Sequence, residues 1–213
     1  MPDSFINRTE AGRLLAEQLS HLKDRNPVVI GLPRGGVVVA AEVASALEAP
    51  LDVLVVRKVG APRQPELGLG AIAEGGVLLL NKRLMRQVGV TKEGLQSTID
   101  AATEELNRRL ATYRGSADPV QVEGRTVILV DDGLATGSTA RAAIGALQHH
   151  GAAEVVLAVP VGAPATVREL EKSVDEVVCL HAPFMLSSVG QYYEDFTQTS
   201  DKDVLAILAE ARR

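Results

Sequence analysis

The sequence predicts an α/β fold: a doubly wound, mainly parallel sheet with helices on both faces. Three observations point to it. Short β-branched runs recur at 28–32, 51–58, 77–81, 126–131, 154–160 and 176–180, almost wholly apolar, as strands buried on both faces must be. Helical patterns at 37–48, 138–150 and 165–173 lie between them, and strands alternating with helices make right-handed βαβ units. Ala and Val carry most of the 46% apolar content while aromatics amount to 3%, which suits layers joined by many small contacts. At 213 residues with 23% charged, the chain is read as a single globular domain, 1–213.

The elements follow in order. Leu14, Leu15, Leu19 and Leu22 recur at helical spacing after Asn7, a fitting N-cap, so 8–24 reads as an amphipathic helix. The first sheet strand ends in "GLPRGG" (31–36), a turn into the next helix. After 51–58 comes a loop rich in Pro and Gly, about 59–76, then a hairpin, "AIAEGGVLLLN", around a Gly-Gly turn. "NKRLMR" (81–86) reads as a basic surface patch. From 92 to 113, Leu95, Ile99, Ala102, Leu106, Leu110 and Tyr113 repeat at three and four. This long extra helix, an insertion over about 91–115, serves packing or a dimer face rather than a ligand. Residues 114–124 return the chain to the sheet. The segment 181–201 holds Phe184, Tyr192, Tyr193 and Phe196, four of the six Phe and Tyr residues. They suit either stacking on a flat base or a small satellite core.

Several classes are set aside. A net charge of −5 argues against a broad nucleic-acid face, while leaving room for a local basic pocket. The single Cys179 allows no internal disulfide and no metal-binding Cys pair, and it reads as a buried strand residue. "MPDSFINRTE" does not resemble a signal peptide, and Pro33, Arg34 and two glycines break the longest apolar run, so a cytoplasmic protein with no membrane contact is expected.

The chemistry is concentrated in "TVILVDDGLATGST" (126–139). A strand ending in Asp131–Asp132 sets two carboxylates at the carboxyl edge of the sheet, where open α/β folds bind ligands. The residues after it open a helix at about Ser138. Its free N–H groups, with the hydroxyls of Thr136, Ser138 and Thr139, form a phosphate cradle, and Gly137 lets the backbone approach. Carboxylates cannot face that phosphate, so they face sugar hydroxyls or Mg²⁺. The ligand deduced is a phosphorylated sugar with free hydroxyls. A plain capped turn leaves the acid pair unexplained, and a nucleotide P-loop lacks its lysine.

This stretch resembles the 5-phosphoribosyl-1-pyrophosphate (PRPP) motif of type I phosphoribosyltransferases, whose Rossmann-like fold carries a small hood. The resemblance implies that Asp131 and Asp132 bind the ribose hydroxyls and that Ala135, Thr136, Gly137, Ser138 and Thr139 hold the 5′-phosphate. Pro33, Arg34, Gly35 and Gly36 resemble the pyrophosphate loop, which in the family often holds a non-proline cis peptide. Arg57 and Lys58 sit where relatives set basic residues against pyrophosphate. The 59–76 loop resembles a flexible lid, with Arg63 and Glu66 at its tip. The 181–200 segment resembles a hood, with Phe184, Met185 and Tyr192 toward the base and Asp195 toward a second Mg²⁺.

What the resemblance implies is a Mg²⁺-dependent transferase acting on PRPP and a nitrogen acceptor, a nucleobase. Asp131, Asp132, Arg34 and Lys58 are its catalytic residues, with Mg²⁺ held directly or indirectly by Asp131 and Asp132. It also implies nucleotide metabolism, with purine salvage as a setting, and a homodimer or higher homo-oligomer. Two positions depart from the 6-oxopurine enzymes: Ala135 replaces their proton-handling Asp, and Pro160–Val161 stands where they carry a lysine. Enzymes for adenine or uracil share the Ala-Thr-Gly form. The whole chain is most similar to a bacterial and archaeal group of predicted phosphoribosyltransferases. The alternative is a PRPP- or nucleotide-sensing regulator that keeps the site without turnover.

Overall fold

The computed structural model describes residues 4–115 and 117–212. The first helix, α1 (Arg8–Gln18), is capped by Asn7, whose side chain accepts the Glu10 N–H at 3.0 Å. It is shorter than the leucine spacing suggests. Residues 20–25 tighten into a 3₁₀ turn that ends at Asn26 in the left-handed region, though Leu19 and Leu22 are buried as expected.

The chain then runs through β1 (Val28–Gly31), α2 (Gly35–Leu47), β2 (Leu51–Val53), β3 (Val56–Ala61), β4 (Gln64–Ala73), β5 (Val77–Leu80), α3 (Lys82–Gln87) and α4 (Gln96–Arg114). After it come β6 (Thr126–Val130), α5 (Ser138–His149), β7 (Glu154–Val161), α6 (Pro164–Leu170), β8 (Glu176–His181) and α7 (Asp201–Ala211). The main sheet has the order β2-β1-β6-β7-β8 and is parallel throughout. Successive side chains go to opposite faces. Val29, Ile128 and Val156 join the core under α1, α2, α4 and α7, while Ile30, Leu129 and Leu157 join the core under α5 and α6.

Two strands are not where the apolar runs suggested. The 51–58 run divides into β2, in the main sheet, and β3, in a separate antiparallel sheet of order β3-β4-β5. The partner explains the break: β1 ends at Gly31 opposite Val53, Leu54 N–H donates to Gly31 C=O, and beyond it the Val55 carbonyl accepts from Glu74 N–H. The 77–81 run, as β5, pairs with β4 around Gly75 and Gly76, both at positive φ, so the expected hairpin is present but outside the parallel sheet. The 59–76 segment is likewise mostly strand, not loop. Leu67, Leu69, Ala71 and Ala73 alternate along β4, and that period of two was its sequence signal.

The long helix matches its periodicity. Leu95, Ile99, Ala102, Leu106 and Tyr113 are buried against the core, so this stripe is spent on packing and offers no free dimer face. Arg114, at the end of α4, reaches the sheet edge. Its guanidinium bonds Asp52 at 3.1 Å and the Val53 carbonyl at 2.8 Å, and also pairs with Glu74. Asp52 is 2% exposed and also accepts Val120 N–H at 3.0 Å. One guanidinium therefore ties α4, the main sheet and the hairpin together.

The final helix α7 was not anticipated, although its signal was present: Ser200 and Asp203 form a capping box ahead of Val204 and Leu208, both buried. Cys179 lies half-buried on the edge strand β8, less covered than expected, and burial pushes its thiol up to about 11. The basic residues of "NKRLMR" are exposed on α3, capped by Asn81. No helix among the described residues is long and apolar enough to cross a membrane.

Replacing Arg114 with Met strands the buried Asp52 carboxylate. Urea denaturation is expected to show a loss of about 3–5 kcal/mol, largely recovered when Asp52→Asn is added.

Candidate active site

The parallel register sets the site. Gly31, Val130 and Ala158 stand level across β1, β6 and β7, so the loops after β1 and β6 leave the carboxyl edge side by side. They touch. A Cβ on Gly36 would sit 2.8 Å from the Asp131 Cα, and one on Gly35 would run into the Asp132 carboxylate. Those glycines are thus required by the close approach of the acids. The Pro33–Arg34 peptide is cis.

Asp131 Oδ1 accepts the Asp132 N–H at 2.9 Å. Burial, and then the neighbouring Asp132 charge, hold the Asp131 carboxyl well above the usual carboxylate range. Beyond the acids the chain continues along β7. Leu134 N–H donates to Val161 C=O and Ala163 N–H to Leu134 C=O, both at 2.8 Å. The Thr166 hydroxyl donates to Ala135 C=O at 2.7 Å. This anchors the loop from below and leaves its small side chains exposed: Ala135, Thr136, Ser138 and Thr139 all face solvent. Gly137 takes φ 69°, closing the turn into α5, whose first N–H groups have no partner within the helix.

The expected cations are distributed unevenly. Lys58 and the loop hydroxyls Thr136 and Ser138 line one cleft of about 600 Å³, with Gly68 and Gly70 of the hairpin and Arg141 of α5. Arg141 was missed. A basic residue in the first turn after the motif was the available signal. Lys58 Nζ bonds the Glu66 carbonyl at 3.2 Å, and Arg63 is exposed at the hairpin turn. Arg57 is half-buried, its Nε without a partner among the described residues. Arg34 is turned toward α7, 3.9 Å from Asp201. Asp201 in turn accepts the Tyr113 hydroxyl at 2.6 Å; burial and Asp201 push that phenol up to about 12.

The C-terminal aromatics separate into two groups. Tyr193 joins Phe5 in a satellite core, their rings 5.5 Å apart, and the partly exposed Phe196 lies over Tyr193 at 5.0 Å. Tyr192 stacks on His181 at 5.2 Å and donates to Met185 C=O at 3.2 Å. Phe184 is 97% exposed and Met185 71%, so neither is packed on the protein. Asp195 is spent locally, its Oδ1 accepting the Thr197 N–H and hydroxyl. Asp132 has a partner that sequence reasoning missed: Arg8, across 124 positions, at 2.8 Å. Nothing local to either residue signals that pairing.

The sequence matches the phosphoribosyl transferase domain family over residues 6–195. The chain belongs to this family. The crystal structure of TT1426 from Thermus thermophilus is 45% identical, covers 97% of this chain and 98% of its own, and superposes with a TM-score of 0.86. Rv0571c of Mycobacterium tuberculosis H37Rv carries a provisional phosphoribosyl transferase name; it is 48% identical over 209 residues, 98% of this chain and 47% of its own length. The chain therefore spans about half the length of the curated relatives it matches. A uracil phosphoribosyltransferase from Lactobacillus gasseri is 44% identical over 59 residues, 28% of either chain.

In this phosphoribosyl transferase domain, Gly35 abuts both the Asp132 carboxylate and Arg8 Nε. Gly35→Ala is expected to cost about 1–3 kcal/mol in denaturant unfolding through that overlap. Gly89→Ala, at a positive-φ glycine with open space around it, gives the comparison in which only backbone strain acts.

Proposed function

We propose that this domain transfers the 5-phosphoribosyl group from PRPP to a nitrogen of a nucleobase, releasing pyrophosphate. The observation that carries the reading is a single juxtaposition. Two adjacent carboxylates lie against the Pro33–Gly36 loop and run directly into an exposed cradle of hydroxyls and helix-start amides. In this reading Ala135, Thr136, Gly137, Ser138 and Thr139 take the 5′-phosphate, and Arg141 at the rim of the same cleft adds charge. Asp131 and Asp132 take the ribose hydroxyls. Arg34, Gly35, Gly36, Arg57 and Lys58 serve the pyrophosphate. Arg34 has donors to spare beyond Asp201, since a guanidinium carries five N–H groups.

The chemistry asks for no covalent intermediate. A ring nitrogen attacks C1 as the bond to pyrophosphate breaks, and the leaving oxygens collect the electron pair under Arg34, Lys58 and the loop amides. The acid pair holds the ribose and faces its developing positive charge. Alignment of nitrogen, C1 and leaving oxygen supplies the remainder.

Mg²⁺ suits this donor set: it binds through one or two carboxylates, keeps several waters and takes its other ligands from substrate phosphates. Asp131 and Asp132 would hold it, directly or through water, and it would neutralise the pyrophosphate. Asp195, committed to Thr197, is left out of that set. The hairpin 56–80 acts as the lid and the 181–200 segment as the hood, with Phe184, Met185 and Tyr192 available to the base. The short match to a uracil phosphoribosyltransferase, and the Ala-Thr-Gly form at 135–137, favour a base that needs no acid at position 135.

Ala135 also favours a second reading, a PRPP sensor without turnover, because a methyl group neither takes nor gives a proton. Pyrophosphate release from PRPP and Mg²⁺, measured across purines and pyrimidines, separates the two. The transferase predicts release with at least one base and a loss of about 10²-fold or more in Asp132→Asn. Calorimetric binding of PRPP with no release for any base would establish the sensor instead.

A further inference from the structure

Arg8 stands at an unusual place for a cation. It is the first residue of α1, where the helix dipole favours acids. It is only 9% exposed, and its guanidinium bonds two partners and lies on a ring. Nε donates to Asp132 Oδ2 at 2.8 Å, Nη1 donates to Thr197 C=O at 2.9 Å, and the Cζ lies 3.9 Å above the Phe196 ring. Tyr193 holds the other end of the same aspartate, its hydroxyl donating to Asp132 C=O at 2.6 Å. Asp132 is thus gripped at its carboxylate from the start of the chain and at its carbonyl from the end. The missing Cβ of Gly35 leaves the room in which this pair forms.

We propose that Arg8 is the positioning residue of Asp132, holding Oδ2 so that Oδ1 is presented to the ribose diol. This rests on the PRPP reading of the site. Two neighbouring carboxylates repel each other, and a rotatable aspartate beside another would turn toward water. The Arg8 charge offsets that repulsion, and its planar guanidinium, held by the Thr197 carbonyl and the Phe196 ring, pins Oδ2 through Nε. Because the same guanidinium bonds the backbone at Thr197 and stacks on Phe196, the C-terminal segment is tied to the orientation of the acid. The proposal separates Arg8 from a purely structural tie: it predicts an effect on ligands that carry the diol and none on those that lack it.

The test uses the full chain with Arg8→Met, which keeps an apolar stem and removes the donors, and Arg8→Lys, which keeps the charge but cannot bond Asp132 and Thr197 from one planar group. Calorimetry measures PRPP and, as a probe without ribose, inorganic pyrophosphate, both without Mg²⁺, so that the ion Asp132 would help hold plays no part. Arg8→Met is expected to weaken PRPP by about ten- to hundredfold, as loss of a hydrogen bond to a charged group does, and to leave pyrophosphate binding at the wild-type value. Arg8→Lys is expected to fall between the two. Should Arg8→Met not fold, the Arg8→Lys comparison between the two ligands decides alone. Wild-type PRPP affinity in the variants, or equal losses for both ligands, overturns the proposal while the PRPP reading stands. A wild-type protein that binds no PRPP overturns that reading and this role together. Thermal unfolding of Arg8→Met, Asp132→Asn and the double variant gives the coupling of the pair without any ligand, and additive losses would deny that the pair exists.

Discussion

The level register of β1 and β6 is the constraint on which the rest of this molecule depends. Gly31 pairs with Val130, so both strands end at one height and their loops must share the space above the edge. That space is too small for two ordinary loops. Gly35 and Gly36 resolve the conflict by letting the backbone of one loop lie against Asp131 and Asp132 of the other. A slip of one residue would turn the side chains of the slipped strand to the opposite face and undo that close approach.

The same crowding shapes the electrostatics. Burial, and then the Asp132 charge beside it, displace the Asp131 carboxyl upward. Arg8 lies against Asp132, and its guanidinium is in turn held by Phe196 and the Thr197 carbonyl. The C-terminal aromatics therefore have two distinct employments. Tyr193 and Phe196 pack around the ion pair, and Phe184 and Met185 project into solvent beyond it.

A second arginine does comparable work on the other side. Arg114 closes the corner between α4, β2 and the hairpin, with Asp52 buried beneath it. Through Tyr113 and Asp201, the end of α4 also reaches α7 and the neighbourhood of Arg34. Helix α4 is thus bonded to the β4–β5 hairpin at Glu74 and to α7 at Asp201, which in turn lies 3.9 Å from Arg34.

The sequence by itself determined the strands at 28–32, 126–131, 154–160 and 176–180, the helices between them and the motif 126–139. Those are written in local patterns: continuous apolar runs, three-and-four spacing, and acids followed by small residues where a strand becomes a helix. Tertiary structure alone decided the rest, because it depended on which partner was within reach. The 51–58 run is uniform in character, yet it serves two sheets because β1 ends at Gly31. The alternation in 64–73 was masked by Pro65, Gly68 and Gly70. The Arg8–Asp132 and Arg114–Asp52 pairs join residues 124 and 62 positions apart, and no spacing rule spans such distances. Nor could composition divide the aromatics between packing and solvent: Phe184 and Phe196 are the same residue, and only the neighbours that the fold delivers tell them apart.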